Sequence, residues 1–106
     1  MIIVTGSILA KAENFDKLLA LSLEHVRRSR VEPGCLLHEV HRDCENPLRL
    51  VFVEEWSDRK TLAAHFALPS SRSFVREAAK LSSEPPRISV YESSGMKVGE
   101  ITVGNK

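Results

Sequence analysis

Three histidines and a glutamate are the residues whose types and spacing best suit proton chemistry in this sequence. His65 stands three residues beyond Leu62 and directly before Phe66, so all three share one side of a helix. An imidazole titrates near neutrality, which fits it to take or give a proton at physiological pH. Glu54 alternates with Phe52 and Trp56 along a strand, which sets a carboxylate between two aromatic rings. Burial there is expected to raise its pKa and make it a usable acid or base. His25 lies on the edge of an apolar helical stripe beside Ser22 and Ser29, and His38 sits at an even position of another strand. The candidate catalytic residues are therefore His65, His25 and Glu54. His38, Phe52, Trp56 and Phe66 are candidate substrate contacts. The same residues around an apolar pocket would also serve a non-catalytic binding protein.

Other chemistries carry no signal. His38 and His41 have opposite strand parity, so they cannot ligate one metal as strand neighbours, and no Cys/His spacing matches a structural zinc site. No metal is expected. Phosphate-cradling glycine loops, a nucleophile elbow and a dinucleotide fingerprint are absent, so no cofactor is expected either. The 106 residues carry 15 basic and 14 acidic groups, a net charge of +1, with no basic stripe for nucleic acid or anionic lipid. No apolar run reaches membrane-spanning length, and no leader is expected. Cys35 and Cys44 fall near opposite ends of one strand, farther apart than a disulfide reaches. Free thiols fit a reducing, cytoplasmic setting.

These side chains need a scaffold, and its elements can be read along the chain. Residues 2–10 are apolar and β-branched, a strand covered on both faces, broken by Gly6 where something else comes close. Asn14 is the expected cap of a first helix whose stripe is Phe15, Leu18, Leu19, Ser22, Leu23 and Val26. Pro33-Gly34 ends that helix. Strands over 35–42 and 48–56 flank the turn-rich segment 43–47. Leu36, His38 and Val40 alternate on one of their faces. Ser57 is the expected cap of a short helix stopped by Pro69, and a further helix runs from about Ser71 to Leu81 with Phe74, Val75 and Ala78 inward. Ile88 to Glu92 forms the last strand after Pro85-Pro86. The order β-α-β-β-α-β, with its second helix divided, predicts an α+β, ferredoxin-like domain: a four-stranded antiparallel sheet with helices on one face. Apolar residues left on the other face call for a subunit partner. The domain is expected over 1–94. Residues 95–106 keep Val98, Ile101 and Val103 in alternation, and are expected to form an arm on that partner.

The segment Glu32-Pro33-Gly34-Cys35-Leu36, the pair Glu54 and Trp56, and the later His65, taken with this order of elements, resemble the antibiotic biosynthesis monooxygenase family. The resemblance spans roughly residues 2–93. It implies a homodimer in which two sheets pack face to face into a dimeric α/β barrel, which would cover Ile3, Leu37, Val51 and Val53. It also implies a pocket between sheet and helices in each subunit. Within that family some members oxidise aromatic polyketides or quinols with dioxygen and no bound cofactor, while others degrade haem or isomerise a phosphorylated signalling sugar. Gly6, His65 and Val75 stand where the haem-degrading pattern has other residues. The isomerase pattern is similar at His25 and Glu39, with Arg28 and Arg42 available as a cationic cradle. The resemblance favours a cofactor-independent monooxygenase for a quinol-like or polycyclic phenolic substrate, with the isomerase as the alternative. Phe52, Trp56 and Phe66 would hold the ring, and His65 or His25 would take the phenolic proton.

Overall fold

The computed structural model describes residues 1–101. Four strands and three α-helices follow in the order β1 (Ile2–Leu9), α1 (Phe15–Ser29), β2 (Cys35–Arg42), β3 (Arg49–Trp56), α2 (Arg59–Ala67), α3 (Pro69–Leu81) and β4 (Arg87–Glu92). The sheet runs β2-β3-β1-β4, and every neighbouring pair is antiparallel. The split βαβ order expected from the periodicities is therefore the one adopted. No helix among the described residues is long and apolar enough to cross a membrane.

The helices cover the face that carries the even residues of β1 and β3. On it lie Ile2, Val4 and Ile8, opposed by Trp56, Glu54 and Leu50 in register. The buried apolar residues fall into two clusters. One joins Ile8, Phe15, Leu18, Val26, Leu50, Phe52, Ala78 and Leu81, and the other joins Ile2, Val4, Trp56 and Leu62. Gly6 on β1 and Glu54 on β3 stand between these clusters along their strands, so the polar residues occupy a gap in the core. A Cβ on Gly6 would lie 3.0 Å from the Arg87 carbonyl oxygen, and β4 is thus the close neighbour that the glycine admits.

Several local features differ from expectation, each for a physical reason. Asn14 precedes α1 but makes no side-chain cap, because a 3-10 turn at Ala12–Asn14 already leads the chain into the helix. Asp58, not Ser57, caps α2: its side chain accepts from the Thr61 N–H, and Thr61 answers through its hydroxyl to the Asp58 N–H. Proline begins α3 as well as ending α2, since Pro69 needs no hydrogen-bond partner in the first turn. Val75 is 61% exposed, because α3 faces the sheet with Ala78 and Leu81 and leaves a gap beside Val75. A bulge between Cys35 and Leu37 sets Cys35 opposite Trp56 and pushes Leu36 out of the alternation, where it is exposed.

The other face of the sheet holds Ile3, Leu37, Val51 and Val53, all half-buried. Both faces of β1 were expected to be covered; within one chain only the helical face is. Cys35 and Cys44 are free thiols. Beyond β4, Met96, Val98 and Ile101 are exposed, and Val103 of the expected arm lies outside the described residues.

Candidate functional site

Three elements that are remote in sequence deliver one histidine each to the gap in the core. His25 comes from α1, His38 from β2 and His65 from α2, and all three are buried. Their placement has local causes. The Arg30 side chain at the end of α1 donates to the His38 carbonyl at 2.9 Å, tying helix to strand. The Asp58–Thr61 capping box starts α2 so that Leu62 and His65, three residues apart, both face the sheet. Gly34 takes φ +81° in the turn before β2, and its carbonyl accepts from the Ser57 N–H at 2.8 Å. That turn sets Glu32 beside α2.

The imidazoles form one cluster. Ring centroids are 5.3 Å apart for His25–His38 and His25–His65, and 5.6 Å for His38–His65. Glu32 Oε1 lies 2.8 Å from His65 Nδ1, a carboxylate–imidazole pair that places the proton on Nδ1. The next oxygen, Ser71 Oγ, is at 3.5 Å. His65 also packs on the Trp56 indole, with centroids 4.6 Å apart, while His25 stacks on Phe74 at 4.2 Å and 6°. The Trp56 indole N–H donates to Glu54 Oε1 at 2.9 Å, and His38 Nε2 approaches the same oxygen at 3.3 Å. That approach is too poorly aligned for a hydrogen bond. Nδ1 of His25 and both ring nitrogens of His38 are thus buried without a hydrogen-bond partner among the described residues.

The electrostatics separate the groups. Burial, then the neighbouring His38 and His65, push the His25 pKa down to about 3 against a smaller opposing pull from Glu54, so His25 is neutral at physiological pH. Glu54 was expected to titrate high. Burial does push it up, but the His38 imidazole, the Trp56 N–H and His65 together outweigh it and hold the carboxyl below its ordinary value. Glu54 is therefore an ionised acceptor and not a proton donor.

A cavity of about 570 Å³ opens from this cluster toward β4. Val4, Gly6, Ile8 and Phe52 form its floor, and His25, His65, Phe66, Phe74 and Val75 its walls. Arg72, Arg76 and Arg87 stand on its lining as well. Of the expected site residues, His25, Glu54, His65, Phe52 and Phe66 line the cavity. Trp56 and His38 do not: both are fully buried, the indole beneath the His65 ring. They stand behind the wall and support it. Besides Arg72, Arg76 and Arg87, Glu32 and Phe74 were not anticipated. Glu32 lay in plain view as the acid before Pro33-Gly34, yet its partner is 33 residues away in sequence. Phe74 read as an ordinary core position on α3.

The residues of the expected cationic cradle lie elsewhere. Arg28 pairs with Glu24 at 2.9 Å, and Arg42 sits 4.1 Å over the Phe15 ring. Glu39 is on the far face of the sheet, paired with His41 at 3.0 Å, so it cannot act together with His25.

Fold and site together define a ferredoxin-like α+β domain with a histidine-walled apolar cavity between its sheet and helices. The profile of the antibiotic biosynthesis monooxygenase family matches residues 1–77, and the chain belongs to that family. A crystal structure of an antibiotic biosynthesis monooxygenase is similar over 90% of this chain and all of its own, with 28% identity and a TM-score of 0.82. A Deinococcus radiodurans protein provisionally given the same name is similar over 99% of this chain and 100% of its own, with 27% identity and a TM-score of 0.87. The uncharacterized Synechocystis protein sll1783 is 32% identical over 91 residues, 86% of this chain. The chain spans about 62% of the length of that relative.

Proposed function

We propose that this chain is a monooxygenase that oxidises a quinol-like or polycyclic phenol with dioxygen, using no bound cofactor. The observation that carries the reading is the Glu32–His65 pair at the wall of the apolar cavity. With its Nδ1 proton held by Glu32, His65 presents Nε2 as an acceptor. His25 is the poorer base, since its environment strongly disfavours the imidazolium. The substrate ring lies against Phe52 and Phe66, with Phe74 and Val75 closing the side, and the arginines favour a substrate that carries an anionic group.

His65 Nε2 takes the phenolic proton. The electron-rich anion passes one electron to dioxygen, and the aryloxyl radical and superoxide combine to a ring peroxide that takes the proton back from His65 as a hydroperoxide. Loss of water then leaves a hydroxyquinone from a quinol or a quinone from a phenol, so one atom of dioxygen enters the product and the other leaves as water. The protein contributes orientation, desolvation and the base, while the substrate contributes the electrons. Two chains pair through the sheet face that carries Ile3, Leu37, Val51 and Val53, and the exposed apolar residues after β4 form an arm on the partner. Free Cys35 and Cys44 fit a cytoplasmic setting.

The test is dioxygen uptake by metal-stripped protein over a panel of hydroquinones and naphthoquinols. Uptake above autoxidation is expected, and it should fall in His65→Ala. An unchanged rate in that variant would remove His65 as the base, and no uptake across the panel would remove the reaction.

A further inference from the structure

Three imidazoles packed together are an expensive group to bury when ring nitrogens are left without hydrogen-bond partners. A buried polar atom left unpaired destabilises the fold, and here His25 Nδ1 and both nitrogens of His38 are in that condition. Their arrangement offers a reason for the expense. One ligating atom from each of His25, His38 and His65 can be chosen so that all lie within 4.8 Å of one another. In a tetrahedral site with metal–nitrogen bonds of about 2.0–2.1 Å, ligand nitrogens stand about 3.3 Å apart. The widest separation exceeds this by about 1.5 Å at most, so the three rings would have to draw together around an ion.

The surroundings match as well. A metal-binding imidazole commonly donates its other ring N–H to a carboxylate, which orients the ring. Glu32 occupies that position at His65 Nδ1, while Glu54 Oε1 stands 3.3 Å from His38 Nε2 as a nearby charge and not as a hydrogen-bond partner. Two carboxylates next to the cluster balance a double positive charge in a place where an unpaired cation would be costly. His25 and His65 border the cavity, which supplies an entry path and an open coordination position.

We propose that His25, His38 and His65 bind one divalent late first-row transition ion at the inner end of the cavity, with Glu32 and Glu54 as its charge-balancing neighbours. Three imidazoles and no thiolate suit Zn²⁺, Co²⁺, Ni²⁺ or Cu²⁺ over Mg²⁺ or Ca²⁺. Sequence spacing is blind to such a site, because its ligands come from α1, β2 and α2. The inference stands apart from the quinol reading. An ion on His65 Nε2 would withdraw that base, so loading is expected to inhibit oxidation by the stripped protein.

Co²⁺ is the probe. Titration into EDTA-stripped protein should give visible d–d bands that saturate at one equivalent per chain and collapse when Zn²⁺ is added. His25→Gln and His38→Gln should each weaken Co²⁺ binding at least tenfold, with folding checked by circular dichroism. His41→Gln, which alters the exposed histidine paired with Glu39, should bind like the parent. The unmodified chain gives a second measurement: on Zn²⁺ addition, the ¹⁵N resonances of the three buried rings should shift and those of His41 should not. Absence of d–d bands, retention of binding in both buried-histidine variants, or shifts confined to His41 would overturn the site. Oxygen uptake by the stripped protein is read separately and tests only the proposed reaction.

Discussion

Removing Glu32 tests the central pair of the site. In Glu32→Ala the imidazole Nδ1–H of His65 loses its acceptor at 2.8 Å, and Ser71 Oγ at 3.5 Å is too distant to replace it. A hydrogen bond to a charged group contributes about 1.5–3 kcal/mol. If all of it supports the transition state, the rate falls by roughly 10- to 150-fold, at tenfold per 1.36 kcal/mol. Glu32→Gln keeps an oxygen acceptor and loses only the charge, so its loss should be smaller than that of Glu32→Ala. The assay is dioxygen uptake with the best quinol of the panel. Beside it, ¹⁵N shifts of the His65 ring read the tautomer without any substrate. The parent should hold its proton on Nδ1, and Glu32→Ala should show a mixture of tautomers. A parent-like rate in Glu32→Ala, with the Nδ1–H tautomer intact, would refute the claim that Glu32 positions His65. Equal losses in the alanine and glutamine variants would show that charge, and not the hydrogen bond, carries the effect.

Gly34→Ala should lower the melting temperature. The left-handed conformation costs a side-chain-bearing residue about 1–2 kcal/mol, and the new Cβ would also come within 2.4 Å of Thr61 Cγ2. Gly34→Asn tolerates the backbone angle but not the crowding, so a melting temperature as low as that of the alanine variant would assign the loss to Thr61. A parent-like melt in both would refute the turn argument. The Asp58 cap makes stability depend on pH, because the Thr61 N–H bond holds its pKa below the ordinary 3.8. A depressed carboxylate pKa means that the cap stabilises above about that pH and is lost as pH falls through the lower folded value. Asp58→Ala should therefore melt below the parent at neutral pH, with the gap closing in strong acid. A gap that stays constant would refute the assignment. For the outer sheet face, Val53→Asp should turn a dimer into monomers in sedimentation velocity, and a monomeric parent would remove the proposed pairing. Truncation after Ser94 should weaken the dimer if the arm packs on the partner; an unchanged dissociation constant would show that it does not.

The pattern of β-branched runs, the spacing of Phe15, Leu18 and Val26, and the turn at Pro33-Gly34 were enough to determine the α+β class, because alternation and helical periodicity are local consequences of which face is buried. The same parity placed Phe52, Glu54 and Trp56 on one side of β3 and His65 beside Leu62. Sequence alone could not decide how these residues meet. A one-residue bulge at Leu36 is invisible in the alternation, yet it brings Cys35 to the helical face. Glu54 titrates low instead of high because its partners, His38 and Trp56, are set by strand register, and burial alone does not fix the sign of a shift. Trp56 read as a wall of the pocket and lies behind it, since only the packing of α2 determines that His65 covers the indole. Glu39 and His25 read as possible partners and are divided by the sheet. The meeting of His25, His38 and His65, and of Glu32 with His65, was decided by the docking of α1 and α2 on the sheet, a long-range event that no local spacing records.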